Sequence, residues 1–197
     1  MENSINTANN INNIVLGAPI TLDDFIAVAR YGAAVEFSEE YCRRVEKSRE
    51  LVEQWVSEEK VMYGVTTGFG ALCTKDETAK LQENIILSHS VSVGEPLSIE
   101  RVRGIMLMVL QNLGQGYSGV RLTILEYYKD FLNKGITPWT PGDGSVGYLA
   151  PEAHMALVLL GRGKAWYEGE LLEGGEALKR AGMRPLELSS KEGLALV

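Results

Sequence analysis

The stretch Ser98-Ile-Glu-Arg-Val-Arg-Gly-Ile-Met-Leu-Met-Val-Leu-Gln-Asn-Leu113 decides the fold class. Ser98 offers the hydroxyl of a helix N-cap. Val102, Ile105, Met106, Val109, Leu110 and Leu113 then recur at helical spacing and cover more than half of the circumference. A helix that apolar has little surface left for water, so the spacing predicts a buried helix.

Working outward, the neighbours on both sides are also helical in pattern. Ser118 is expected to start a helix, with Val120, Ile124, Tyr127, Tyr128 and Phe131 inward and Gly135 just past its end. On the N-terminal side a helix is expected from about Thr78, with Leu81, Ile85 and His89 on one stripe, Ile86 beside them, and a stop at Gly94-Glu-Pro96. Further back, Ser38-Glu-Glu opens an amphipathic helix with Tyr41, Val45, Val52, Trp55 and Val56. Thr21-Leu-Asp-Asp24 has capping-box character ahead of a short helix over Phe25–Ala29 that stops near Gly32. Toward the C-terminus, Ile136–Gly147 is expected as a loop. Leu149-Ala-Pro-Glu begins a helix with proline in its first turn, where the missing N–H costs nothing. Lys164–Leu172 forms a small hairpin about Glu168-Gly169, and Glu176–Ala181 a short helix. The whole reads as mainly α with a minor β element. Residues 1–13 hold six asparagines and are expected to be a disordered tail ahead of one unit spanning 14–197.

Composition narrows the function classes. The 197 residues are 45% apolar, 23% charged and 8% aromatic, with a net charge of −7. Nucleic-acid affinity comes mostly from Lys and Arg, so this balance disfavours non-specific nucleic-acid binding. No apolar run approaches the roughly 20 residues that cross a bilayer, and the first residues lack the basic and apolar regions of a secretory signal. Cys42 and Cys73 form no disulfide framework. These features fit a cytoplasmic protein with neither nucleic-acid nor membrane partners. There is no P-loop, no Gly-x-Ser-x-Gly elbow and no His/Cys set at zinc spacing, so a metal site is not expected.

Three segments are not explained by packing alone. Tyr63 leads Tyr63-Gly-Val-Thr-Thr-Gly-Phe-Gly70, where three glycines and two threonines make a sharply turned or mobile loop. A phenol there can close over a substrate and move a proton, or simply pack at a turn. Ser88-His89-Ser90 sits late in an apolar helix; His89 is a candidate functional side chain or a satisfied core histidine. Gly142-Asp-Gly-Ser-Val-Gly147 precedes a helix start and permits close backbone approach, as does any plain glycine-rich loop.

Together and in this order the segments resemble the aromatic amino acid ammonia-lyases, histidine ammonia-lyases above all. The strings are TLDDFIAVARYGA, YGVTTGFG, LQENIILSHSVSVGEP, GYSGVR, LNKGITPWTPGDGSVG, LAPEAHMALVLLG and KEGLALV, spread from about Ile14 to Val197. The resemblance implies a helical ammonia-lyase-like fold lacking the C-terminal helical bundle. It implies elimination of ammonia from histidine or a related aromatic amino acid, with a 2,3-aminomutase or a non-catalytic lyase-like subunit as alternatives. It implies Tyr63 as catalytic base, His89 as the partner of the substrate's ring, and Gly70 and Leu194 as pocket lining, with His154 structural. Homotetramers, or association with a C-terminal lyase portion, are the partners implied. The implied prosthetic group is methylidene-imidazolone (MIO), cyclised from an Ala-Ser-Gly triplet. Here Gly147 and Tyr148, which flank the MIO position, follow each other directly. Either the triplet has been lost, or it has matured into one residue that standard letters do not show. The chain accordingly reads as a truncated lyase, one piece of a split enzyme, or a paralogue that pairs with a longer partner.

Overall fold

A computed structural model describes residues 13–65, 78–144 and 150–197. In chain order the elements are β1 (Ile14–Leu16), α1 (Leu22–Tyr31), β2 (Val35–Phe37), α2 (Glu39–Ser57), α3 (Thr78–His89), β3 (Val93–Pro96), α4 (Ile99–Leu113), α5 (Leu122–Lys134), β4 (Thr137–Pro138), β5 (Pro141–Asp143), α6 (Ala150–Leu159), β6 (Lys164–Tyr167), β7 (Glu170–Glu173), α7 (Gly174–Arg180) and α8 (Glu192–Ala195). The predominance of helix agrees with the sequence reading. No described helix is long and apolar enough to cross a membrane.

Helix α4 is the centre of the core. Val102, Met106, Leu107, Leu110 and Leu113 are buried, and α1 and α5 pack on it. At Gly104 the approach is so close that a Cβ would lie 2.7 Å from the ring of Phe25 in α1. The buried guanidinium of Arg103 donates to the carbonyls of Val28 (2.8 Å) and Leu132 (2.9 Å). Those carbonyls lie in the last turns of α1 and α5, where no intrahelical donor remains, so one side chain closes two helix ends. Tyr41 of α2 reaches in to donate to the Leu110 carbonyl at 2.7 Å.

The caps behave as expected where the capping residue is free to act. Thr21 and Asp24 form a reciprocal capping box, and Ser38 and Ser98 each accept the N–H three residues on. The box starts α1 at Leu22, so that helix is ten residues long rather than the short Phe25–Ala29 segment expected. Ser118 does not start α5. Gly119 takes φ +66°, a left-handed conformation that interrupts helical continuation, and its N–H donates to Ser48 Oγ at 2.9 Å. The helix begins at Leu122 instead, and ends at a left-handed Gly135 as the sequence predicts.

Two inward faces are also rotated from expectation. In α3 the buried stripe is Gln82, Ile85 and Ile86, with Leu81 only half-buried; in α2, Val56 is exposed and Arg49 is buried in its stead. The expected loop over Ile136–Gly147 contains β4 and β5. These pair antiparallel with β6 and β3 respectively, and β6 and β7 form the expected hairpin. Strands of two and three residues that carry proline give no alternating pattern to read. β1 and β2 pair in parallel. Most of the buried apolar residues, from Leu16 to Leu196, form one cluster.

Candidate functional site

His89 is the last residue of α3. Its Nδ1 lies 2.8 Å from the Ile85 carbonyl, which also accepts from Ser88 Oγ at 2.9 Å. Ser90 Oγ donates to the Ile86 carbonyl at 2.7 Å. The Ser-His-Ser side chains thus add hydrogen bonds to carbonyls in the last turns of α3, where the Ile86 carbonyl also accepts the Ser90 N–H at 3.0 Å. A carbonyl can only accept, so Nδ1 donates in this contact and Nε2 is left for other partners; Ser88 Oγ also lies 3.1 Å from Nδ1.

Gln82, seven residues earlier on the same face of α3 and about 10 Å along the axis, is fully buried. Its Oε1 accepts from the backbone N–H of Gly193 (2.8 Å) and Leu194 (3.3 Å) in α8. This anchors α8 on the helix that carries His89. Leu194 itself remains 37% exposed.

The α8 segment is fixed from below by Glu192, whose side chain is fully buried. It accepts from Arg121 at two oxygens (2.7 Å each), from the Arg121 backbone N–H and from the Ser189 N–H at 2.6 Å. Arg49 approaches the same carboxylate at 3.9 Å and donates to the Gly119 and Ser190 carbonyls. A bidentate pair with its remaining lone pairs satisfied is the arrangement in which a buried carboxylate is tolerable.

Ser92, three residues past His89, grips two other elements. Its Oγ donates to the Gly144 carbonyl at 3.0 Å, and its N–H donates to His154 Nε2 at 3.1 Å. Burial holds His154 below the ordinary histidine range, which favours the neutral acceptor that this bond requires. One residue therefore ties the end of α3 to both sides of residues 145–149, reinforced by the β3–β5 ladder between Val93 and Asp143. His154 has the structural role expected of it.

Tyr63 lies in the turn after α2 and is 67% exposed. Gly70, Gly147 and Tyr148 lie outside the described residues, as does most of the loop that Tyr63 leads. The structure therefore brings together the elements of His89 and Leu194, and secures both sides of the segment containing Gly147 and Tyr148. Sequence reasoning missed Gln82, Ser92, Glu192 and Arg121. Each is a polar residue whose importance comes from burial against distant backbone, which no spacing pattern signals.

Residues 20–197 match the family model described as aromatic amino acid lyase. The chain belongs to that family. Among the relatives of this lyase-family chain, histidine ammonia-lyase 1 of Fusobacterium nucleatum is 50% identical over a 192-residue alignment that covers 93% of this chain and 37% of the relative. Histidine ammonia-lyase from Trypanosoma cruzi superposes with a TM-score of 0.88 at 35% identity, covering 94% of this chain and 38% of that one. Tyrosine aminomutase from Streptomyces globisporus gives 0.87 at 37% identity, covering 94% and 36%. The chain thus spans a little over a third of the length of these relatives and corresponds to their N-terminal portion.

Membership implies an MIO group, and the residues present do not fit it. From Gly144 to Ala150 the chain reads Gly-Ser-Val-Gly-Tyr-Leu-Ala. Its one serine, Ser145, stands between Gly144 and Val146, so the Ala-Ser-Gly from which the ring closes is not there. No cluster of His, Cys, Asp or Glu able to hold a metal occurs among the described residues.

Proposed function

We propose that this chain is the ring-recognising and base-bearing part of a carbon–nitrogen lyase that removes ammonia from histidine or a related aromatic amino acid. The observation that carries the reading is the end of α3. There the Ile85 carbonyl accepts from His89 Nδ1, and Ser92 ties the same helix end to both sides of residues 145–149.

In this reading His89 Nε2 accepts a hydrogen bond from an N–H or O–H on the substrate's ring, and Leu194 and Gly70 line the pocket around it. Tyr63, as phenolate, takes the β-proton; the carbon–nitrogen bond then breaks and the electron pair leaves with the amine. This role needs hydrogen-bond donors or positive charge around the phenol in the assembled enzyme. An MIO electrophile is what the family would supply to activate the leaving amine. The family's remaining length, outside these 197 residues, would hold the substrate carboxylate and complete the site within a homotetramer. A 2,3-aminomutase would share every one of these roles and return the amine to the β-carbon.

The test is product analysis with histidine, tyrosine and phenylalanine on the assembled protein. The reading expects ammonia and an α,β-unsaturated acid, with Tyr63→Phe lowering the rate at least a hundredfold and leaving substrate affinity nearly unchanged. A β-amino acid as product would replace the lyase with the aminomutase.

The directly joined Gly147 and Tyr148 favour a second reading: a lyase-like subunit with no electrophile of its own. Intact mass separates the two. A mass above that of the sequence by Ala-Ser-Gly less two waters supports a matured ring at the junction. A mass equal to the sequence leaves the subunit reading, in which Tyr63 and His89 bind but do not turn over substrate.

A further inference from the structure

Helix α8 is only four residues long, and its first turn leaves backbone N–H groups with no acceptor inside the helix. Its own N-cap side chain supplies none. Lys191 makes no side-chain cap bond and sits at φ +70°, a left-handed conformation that a residue with a side chain adopts when its surroundings impose it. The carbonyls of Ser189 and Lys191 take the N–H groups of Glu192 and Ala195. The two between them go to Gln82 of α3, 111 residues away from Gly193 in sequence. Its Oε1 accepts from Gly193 and Leu194, the second and third residues of the helix, which are the two that an N-cap oxygen ordinarily serves.

The contact has no slack. A Cβ on Gly193 would stand 2.3 Å from the Gln82 backbone carbonyl oxygen, and backbone cannot yield as the end of a flexible side chain can. On the preceding residue, the buried Glu192 carboxylate is gripped by Arg121. Gln82 Nε2 has no hydrogen-bond partner among the described residues, so the oxygen does the holding. Leu194 is thus carried through its own N–H on the helix that ends in His89, two turns further on.

We propose that Gln82 is a positioning residue for amino-acid selectivity: it caps α8 from α3 and so holds Leu194 at a fixed distance from His89. This rests on the pocket reading given above and names what sets the width of that pocket. A ring seated between Leu194 and His89 keeps its hydrogen bond to His89 in line. With α8 free to drift, the ring tilts and that bond fails, because hydrogen bonds weaken steeply off line. Histidine loses the bond, and phenylalanine has none to lose, so discrimination between the two falls.

The test uses the chain fused after Val197 to the C-terminal remainder of the Fusobacterium relative. It reads the ratio of histidine to phenylalanine affinity by calorimetry, and amide exchange over residues 190–197 by mass spectrometry. Gln82→Met keeps the length and removes the acceptor, whereas Gln82→Glu keeps the acceptor and exchanges only the unpartnered Nε2. Gly193→Ala pushes α8 off α3 with Gln82 intact, and Gly104→Ala, at the contact of α1 and α4, is the control for lost stability alone. Gln82→Met and Gly193→Ala are each expected to lower the affinity ratio at least fivefold, and Gln82→Met to speed exchange over residues 190–197 at least tenfold. Gln82→Glu and Gly104→Ala are expected to keep the ratio within twofold of the unaltered protein. Should Gln82→Met fail to fold, Gly193→Ala read against Gly104→Ala decides. The proposal is overturned by an unchanged ratio in Gln82→Met and Gly193→Ala, by an equal fall in Gly104→Ala, by a fall in Gln82→Glu as large as in Gln82→Met, or by unchanged exchange in Gln82→Met. An unaltered protein that binds neither amino acid overturns the pocket reading, and the selectivity role with it, while the exchange result still decides whether Gln82 caps α8.

Discussion

Glu192 shows how much of this structure depends on single polar side chains. Its fully buried carboxylate is the meeting point of Arg121, Arg49 and the Ser189 backbone. Removing one partner of a buried pair leaves an uncompensated charge, at a cost of about 3–5 kcal/mol. Glu192→Ala is expected to lower stability by that amount in urea unfolding and to loosen α8, and Leu194 with it. Two titratable groups give opposite pH dependences. His154 ordinarily titrates at 6.5 and burial lowers it, so the unfolded chain takes up the proton first. The stability from its neutral form is complete above 6.5 and is lost as pH falls through the lowered folded value. His154→Gln, which keeps an acceptor for Ser92, is expected to flatten that acid limb in thermal melts across pH. Glu152 ordinarily titrates at 4.5 and burial raises it, so its contribution is complete below 4.5 and is lost as pH rises through the folded value. Glu152→Gln is therefore expected to stabilise the isolated chain at neutral pH, and to lose that advantage below 4.5.

At the level of elements, the helices show what local chemistry can and cannot announce. Ser98, Ser38 and Thr21 were legible because a cap is a local device, made by a side chain and an N–H three residues away. Ser118 looked equally suitable and was not a cap, because Gly119 is held in a left-handed conformation by contacts with Ser48 and Val52 of α2. Those contacts are more than sixty residues distant in sequence and leave no local trace. The rotated stripe of α3 has a similar origin: Gln82 is polar, yet it is buried because α8 presents two N–H groups to it. Packing between α1 and α4 offers the clearest test at this scale. Gly104→Ala places a methyl against the Phe25 ring, and overpacking of this kind costs about 1–3 kcal/mol. Phe25→Leu in the same chain is expected to recover part of that loss in chemical denaturation, since the two sites share the contact.

For the whole molecule, the family was legible because its signature lies in contiguous strings, and YGVTTGFG and LAPEAH are long enough to carry it without knowledge of the fold. The site was legible only in part. His89 and Leu194 were named from those strings, but what joins their elements is Gln82, and what ties the end of α3 to both sides of residues 145–149 is Ser92. Both are ordinary polar residues until the fold buries them. The central claim is that His89, with its Nδ1 donating to Ile85, gives the assembled protein a preference for a histidine-type ring. The most direct measurement is a calorimetric titration of L-histidine and L-phenylalanine into the chain assembled with the C-terminal remainder of the Fusobacterium relative. The account predicts that histidine binds at least tenfold more tightly, a difference of about 1.4 kcal/mol, and that His89→Leu reverses the order. Equal binding of the two amino acids, or a preference that His89→Leu leaves unchanged, would contradict it.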